Sequence, residues 1–201
     1  MKRIHIIFAS FLVASALNCG GVPPTFYYRI DYNLPKNNSD DGVVPVNIGI
    51  GYFDAEALYE GDRIVYRQSQ YEVQYYYYRR WIAPPKKIVR EKVIQQFKNS
   101  GKFHQVVAFP TSQPVDYILT AKINAFEEWD EGRDWYGYVS ILFQLIDPKT
   151  QEITWENEFS SKTKAQKREP VEVVRAISES LKNVIQQAIN DIVANMNKNI
   201  G

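Results

Sequence analysis

Cysteine, histidine and methionine are nearly absent from this chain: its 201 residues hold one cysteine, two histidines and two methionines. One cysteine excludes an internal disulfide. Only His104 lies outside the first twenty residues, so little is left from which to build a metal centre or a histidine-based catalytic set. There is no glycine-rich phosphate loop and no nucleophile elbow, because the glycines are scattered in turns. An excess of charge is missing too, with 24 basic residues against 23 acidic ones. Nothing therefore draws nucleic acid or an anionic bilayer to the protein from a distance. No internal repeat of fixed period is visible, and beyond the N-terminus no run is apolar enough to cross a membrane.

The N-terminus carries the strongest signal. Lys2 and Arg3 precede an almost uninterrupted apolar stretch, Ile4 to Ala16, which has the length of a secretory leader rather than of a membrane span. The sole cysteine, Cys19, follows at once, with Gly20 and Gly21 behind it. Ala16-Leu17-Asn18-Cys19 resembles a bacterial lipobox, although that pattern usually begins with Leu and has Gly or Ala before the cysteine. The resemblance implies cleavage after Asn18 and acylation of Cys19, palmitate included, and two or more acyl chains suffice for stable anchoring. The competing reading is a soluble secreted protein cut near Ala16 with a free thiol. Gly20 stands where inner-membrane retention is associated with aspartate, so the expected address is the periplasmic face of the outer membrane.

Three segments follow: a signal peptide over 1–18, a lipidated N-terminus with a short strand and tether over 19–42, and one domain over 43–201. Thr25 to Ile30 is β-prone enough for a short edge strand, and Pro35 to Gly42 is a polar, turn-rich loop. Val44, Val46, Ile48 and Ile50 alternate as in a strand with one buried face, and Arg63 to Arg67 with Tyr71 to Trp81 reads as a hairpin. Pro84-Pro85 opens a helix whose stripe is Val89, Val93 and Phe97, with Ile94 beside it, ended by Asn99-Ser100-Gly101. Strands are predicted over 103–109, 117–126, 138–147 and 152–160. A long helix after Pro170 carries the stripe Val174, Ile177, Leu181, Val184, Ile185, Ala188, Ile192 and Met196. This order predicts an α+β fold, a mixed, mainly antiparallel sheet with both helices on one face. The last stripe is wide enough for internal packing and for a neighbouring copy, so a homo-oligomer stays open.

Little of this points to catalysis, a metal or a cofactor, and the protein is expected not to be an enzyme. Glu127, Glu128, Asp130, Glu131 and Asp134 cluster around Trp129, but without the alternating spacing of a calcium loop. They read as a solvated turn between two strands. The aromatic residues say more, since eight of the 14 tyrosines lie between Tyr52 and Tyr78. Strand alternation puts Tyr75, Tyr77, Arg79 and Trp81 on one face and Tyr76, Tyr78 and Arg80 on the other. The core occupies one face only, so the other exposes tyrosine and arginine, the types enriched at protein contacts. Strands favour tyrosine in any case, and that reading stands beside a partner-binding one.

Asp62 to Arg67, Tyr76 to Trp81 with Ala83-Pro84-Pro85, and the helix ending in Gly101-Lys102-Phe103 resemble the ABC-type transport auxiliary lipoproteins, PqiC-like intermembrane transport lipoproteins among them. Phe26 to Ile30, Tyr117 to Leu119 and Val139 to Asp147 fall where that family has strands. The resemblance implies a non-catalytic docking or auxiliary component of an ABC transporter that works with an MCE-type periplasmic substrate-binding protein in lipid transport. Only Cys19, as anchor, and the Arg63 to Trp81 hairpin carry over. The alternative is an assembly lipoprotein for surface polysaccharide, lipopolysaccharide or a secretion pore.

Overall fold

The computed structural model describes residues 22–34 and 43–200. The leader, Cys19 and the loop expected from Pro35 to Gly42 lie outside the described residues. Eight strands form one sheet: β1 (Phe26–Tyr28), β2 (Val44–Ala55), β3 (Arg63–Arg67), β4 (Val73–Trp81), β5 (Phe103–Ala108), β6 (Tyr117–Glu131), β7 (Asp134–Ile146) and β8 (Ile153–Lys164). The helices are α1 (Pro85–Ser100) and α2 (Pro170–Ile200), and a single 3-10 turn covers Ala57–Tyr59.

The sheet is forked at β6. One edge of β6 pairs with β7 along its length, antiparallel, and β8 continues beyond β7. The other edge is shared end to end: Tyr117 to Ile123 pairs with β2, and Glu127 to Trp129 pairs with β3, both in parallel. β5 extends the first branch, while β4 and then β1 extend the second. The expected α+β architecture, a mixed sheet beneath two helices, is what the chain adopts.

Local sequence accounts for most elements. Pro85 occupies the first turn of α1, where its missing N–H is no loss, and Gly101 closes the helix at φ 61°, a conformation in which a side chain is strained. Val89, Val93 and Phe97 of α1 are buried, as is the whole expected stripe of α2. Both helices join one core with Val139, Ile141, Phe143 and Leu145 of β7. The guanidinium of Arg90 on α1 donates to the carbonyls of Ile50 and Phe109, each at 2.9 Å, and so clasps β2 to the end of β5. α2 packs tightly on the sheet at Gly137, where an added Cβ would sit 2.2 Å from the backbone nitrogen of Ile177.

Residues 26–32 belong to this fold. β1 runs parallel to β4, Ile30 is buried, and the hydroxyl of Tyr32 donates to Gln96 Oε1 at 3.1 Å. Among the described residues the opposite face of the sheet bears no α-helix, only the 3-10 turn of Tyr59. Along β8 it is polar, with Glu156, Glu158, Ser160 and Lys162 exposed, as antiparallel sheets with one solvated face allow.

Candidate interaction surface

Two of the sequence expectations change at one place, where the β3–β4 hairpin meets the end of β6. Of the acidic residues around Trp129, Glu131 and Asp134 flank a solvated turn, but Glu127, Glu128 and Asp130 do not belong to it. β6 continues to Glu131 and β7 starts at Asp134, so the turn is only Gly132-Arg133, with glycine at φ 60° in the first central position. Glu127 and Glu128 are 0% and 1% exposed, and Asp130 is buried too. Pairing with β7 carries this acidic stretch into the sheet, and specific partners hold it there.

On the helix-free face, Glu127 Oε2 accepts from the hydroxyl of Tyr59 at 2.6 Å and from Arg67 Nη2 at 2.7 Å. Arg67 Nε lies 2.7 Å from the other carboxylate oxygen, a close electrostatic approach. Burial raises the carboxyl of Glu127 above its ordinary range, and the donors Tyr59 and Arg67 pull against it. Burial beside the same carboxylate pushes the Tyr59 hydroxyl upward, so it stays a donor.

On the helix-bearing face, Tyr76 donates to Glu128 with its oxygen 3.0 Å from each carboxylate oxygen. Burial, followed by the charge of nearby Asp130, pushes Glu128 up to about 8. Asp130 is raised as well, again by burial. Neighbouring residues of one strand thus bury carboxyls on opposite faces, and both carboxyls are tied to the hairpin.

The tyrosine strand does not alternate as expected either. Arg63 pairs with Arg80 but Val65 pairs with Tyr75, so Tyr76 to Arg79 of β4 stand opposite Ile64 alone. The extra residues make a bulge that breaks the two-residue period. Trp81 is buried against Phe126, ring centroids 5.1 Å apart, and belongs to the core, whereas Tyr77, on the face assigned to it by parity, is 79% exposed. Tyr76 is half-buried with Arg79 over its ring, Tyr78 meets Tyr77 edge-on, and Arg80 is paired with Asp62 at 2.8 Å. Tyr75 lies beneath the guanidinium of Arg63 at 4.2 Å.

Around the Arg67–Glu127 pair the helix-free face carries a layer of rings and cations. Arg67 and Lys162 both stand over Trp129, at 5.1 and 5.0 Å from the ring centre, and Lys162 also covers Tyr136 at 4.6 Å. Tyr138 meets Trp129 edge-on at 5.8 Å. Strand patterning did not reveal this layer, because it assigned the contact residues to one strand. The spacing does contain it: Trp129 and Glu127 precede Gly132 as Tyr136 and Tyr138 follow it, so a tight turn there places them side by side. Such a layer presents planar apolar surface and charge together.

His104 is exposed, and among the described residues no group of three His, Cys, Asp or Glu could hold a metal ion. No helix among the described residues is long and apolar enough to cross a membrane. A hollow of about 250 Å³ between α1 and α2 is lined by Leu34 and by polar residues, among them Gln96, Asn99, Lys182 and Gln186, whose stems supply much of its wall.

The sequence model for the ABC-type transport auxiliary lipoprotein component matches residues 28–189. Among solved structures, a protein from Xanthomonas campestris is similar in fold with a TM-score of 0.74 at 17% identity, over 87% of this chain and 98% of its own. An uncharacterized protein is similar with a TM-score of 0.64 at 15% identity, over 85% and 99%. No functionally curated protein matches the sequence.

Proposed function

Because the chain belongs to the ABC-type transport auxiliary lipoprotein family, we propose that it is the outer-membrane docking component of an MCE-type lipid transport system. Membership makes it an envelope lipoprotein that assists ABC-type transport in an auxiliary rather than a catalytic role. In the proposed arrangement, residues 1–18 are removed and acylated Cys19 holds the chain in the inner leaflet of the outer membrane. The domain then meets an MCE-type substrate-binding protein through the helix-free face.

The observation that supports this reading is the ring-and-cation layer of Arg63, Tyr75, Trp129, Tyr136 and Lys162 on an open sheet face. Aromatic and arginine side chains supply most hot spots at protein contacts, and here a buried carboxylate holds the central arginine in place. Tyr77 and Tyr78 border this surface. Trp81 and Tyr76 support it from within, so changing them tests stability rather than contact.

The test is mass spectrometry of the N-terminal peptide and of co-purifying proteins after capture from native membranes. The expected result is a diacylated or triacylated Cys19 and an MCE-type partner. Tyr75→Ser with Lys162→Ser should lower that partner's yield by more than the accompanying fall in urea midpoint accounts for, since Tyr75 also packs against the core. Recovery of polysaccharide-assembly or secretion-pore proteins instead would favour the assembly reading, and an unmodified Cys19 would remove the anchored one.

A further inference from the structure

Among the described residues β8 pairs with β7 alone, and it is by far the longest edge of the sheet: the other outer strands, β1 and β5, have three and six residues against its 12. From Trp155 to Lys164 its ladder runs without a register shift, and the strand holds no proline and no glycine. A long, regular edge is a template for another strand unless something blunts it. The N–H of Ala165 donates to the carbonyl of Trp135 at 2.8 Å, which aims the backbone of Ala165, and of every second residue before it, at β7. The residues between them, Glu156, Glu158, Ser160, Lys162 and Lys164, therefore turn their N–H and C=O groups outward. The side chains of the same residues are exposed on the helix-free face.

The charges on this edge fit a copy of themselves. Glu156 and Glu158 stand as far before Ser160 as Lys164 and Lys162 stand after it. An antiparallel copy, related by a two-fold axis at Ser160, sets Glu158 opposite Lys162 and Glu156 opposite Lys164, each pair occurring twice by symmetry. An axis at Glu158 or at Lys162 would set like charges face to face, and one at Phe159 or Ser161 would keep only one of the two kinds of pair. Lys162 and Lys164 already meet Glu131 and Asp134 of their own chain. An ammonium has three donors, so the new pairs add to those contacts. The helix layer leaves room for the copy as well. Ser180 Oγ on α2 lies 2.8 Å from both the Gly137 carbonyl on β7 and Thr163 Oγ1 on β8, so α2 sits over the seam between these strands. Its copy would run two strand spacings away, about 10 Å, the distance at which helices pack.

We propose that β8 joins a second copy of this chain, antiparallel about Ser160, so that two domains share one continuous sheet. Backbone pairing supplies the bonds, and the alternating charges fix the register. On the helix-bearing face Phe159, which stacks with Trp155, comes opposite Ser161 of the copy and loses water. The two helix-free faces become one surface that carries the ring-and-cation layer twice, and a partner gripping both copies gains from the second contact without any new chemistry. None of this depends on acylation of Cys19 or on which protein the layer meets.

The test uses the full chain. Ser160→Cys, oxidised in its own membranes, should give a covalent dimer whose crosslinked peptide joins position 160 to position 160, whereas Glu152→Cys, just before the strand, should not. Mass spectrometry of that peptide separates it from any disulfide made by Cys19. Charge is then read by sedimentation of the full chain purified in detergent. Glu156→Lys and Lys164→Glu should each raise the dissociation constant of the dimer about tenfold, and both changes in one chain should restore it. Positions 156 and 164 are about 26 Å apart along a strand, so restoration can come only from a second chain. Circular dichroism checks that each variant folds, and the charge series carries the test if Ser160→Cys does not. Monomers at every concentration, a dimer indifferent to both reversals, or a disulfide from position 160 to a different protein overturns the proposal.

Discussion

Replacing Arg67 by methionine keeps an apolar stem over Trp129 but leaves Glu127 without its counter-charge. Glu127 is fully buried and Arg67 only 15% exposed, so the two partners differ in what they lose when separated. A carboxylate stranded at 0% exposure has Tyr59 as its remaining donor, and breaking a buried pair from one side destabilises by about 3–5 kcal/mol. Glu127→Leu leaves an arginine that can turn toward water and a tyrosine hydroxyl without an acceptor, a loss of about 2–3 kcal/mol. In the double variant neither charge remains and only the Tyr59 hydroxyl is unsatisfied, so the expected loss is about 1–2 kcal/mol, well below the sum. Urea unfolding is the assay, read as a shift in midpoint at constant slope. A loss below about 1 kcal/mol for Arg67→Met, or a double variant as unstable as the two singles added together, would refute the claim that this pair organises the hairpin root.

Two further changes probe the packing and the second carboxyl. Gly137→Ala would drive a methyl group into the backbone of α2, 2.2 Å from Ile177 N and 2.4 Å from Ala176 C, contacts that no side-chain rotation relieves. The expected loss is about 3 kcal/mol or more, a drop of roughly 6–12 °C in Tm by calorimetry, and an unchanged melt would show that α2 does not sit so close. Glu128 is raised in the folded state, so that state keeps a proton which the unfolded chain releases between the ordinary glutamate pKa of 4.5 and about 8. Stability therefore falls as pH rises through that window, by at most about 1.4 kcal/mol per unit, and Glu128→Gln should flatten the slope of urea midpoints against pH; an identical slope would assign the titration elsewhere.

Periodic elements were legible because one face decides them. Val139 to Leu145 and the α2 stripe show their burial in the residues themselves, and Pro84-Pro85 with Gly101 brackets α1 by backbone chemistry alone. The acidic stretch was not legible, because burial of Glu127 and Glu128 depends on partners 60 and 52 residues away in Arg67 and Tyr76. Local composition reports the cost of burying a carboxyl but not the presence of a distant donor. The tyrosine strand failed for a different reason. Its alternation assumes an unbroken ladder, and the extra residues of β4 opposite Ile64 interrupt it. Hairpin and contact residue types were therefore readable, whereas the assignment of each tyrosine to core or surface was not.

The parallel pairing of β1 also determines how the domain bears load. Any pull on the chain preceding Phe26 acts along β1, in line with its bonds to Arg79, Arg80 and Trp81 rather than across them. In that shear geometry the three residue pairs resist together, whereas an antiparallel hairpin pulled from its open end would unzip pair by pair. Behind β1 the force passes through β4 and β3 into the three residue pairs that join β3 to β6. A short edge strand thus serves as a strain relief between whatever holds the N-terminus and whatever grips the folded domain.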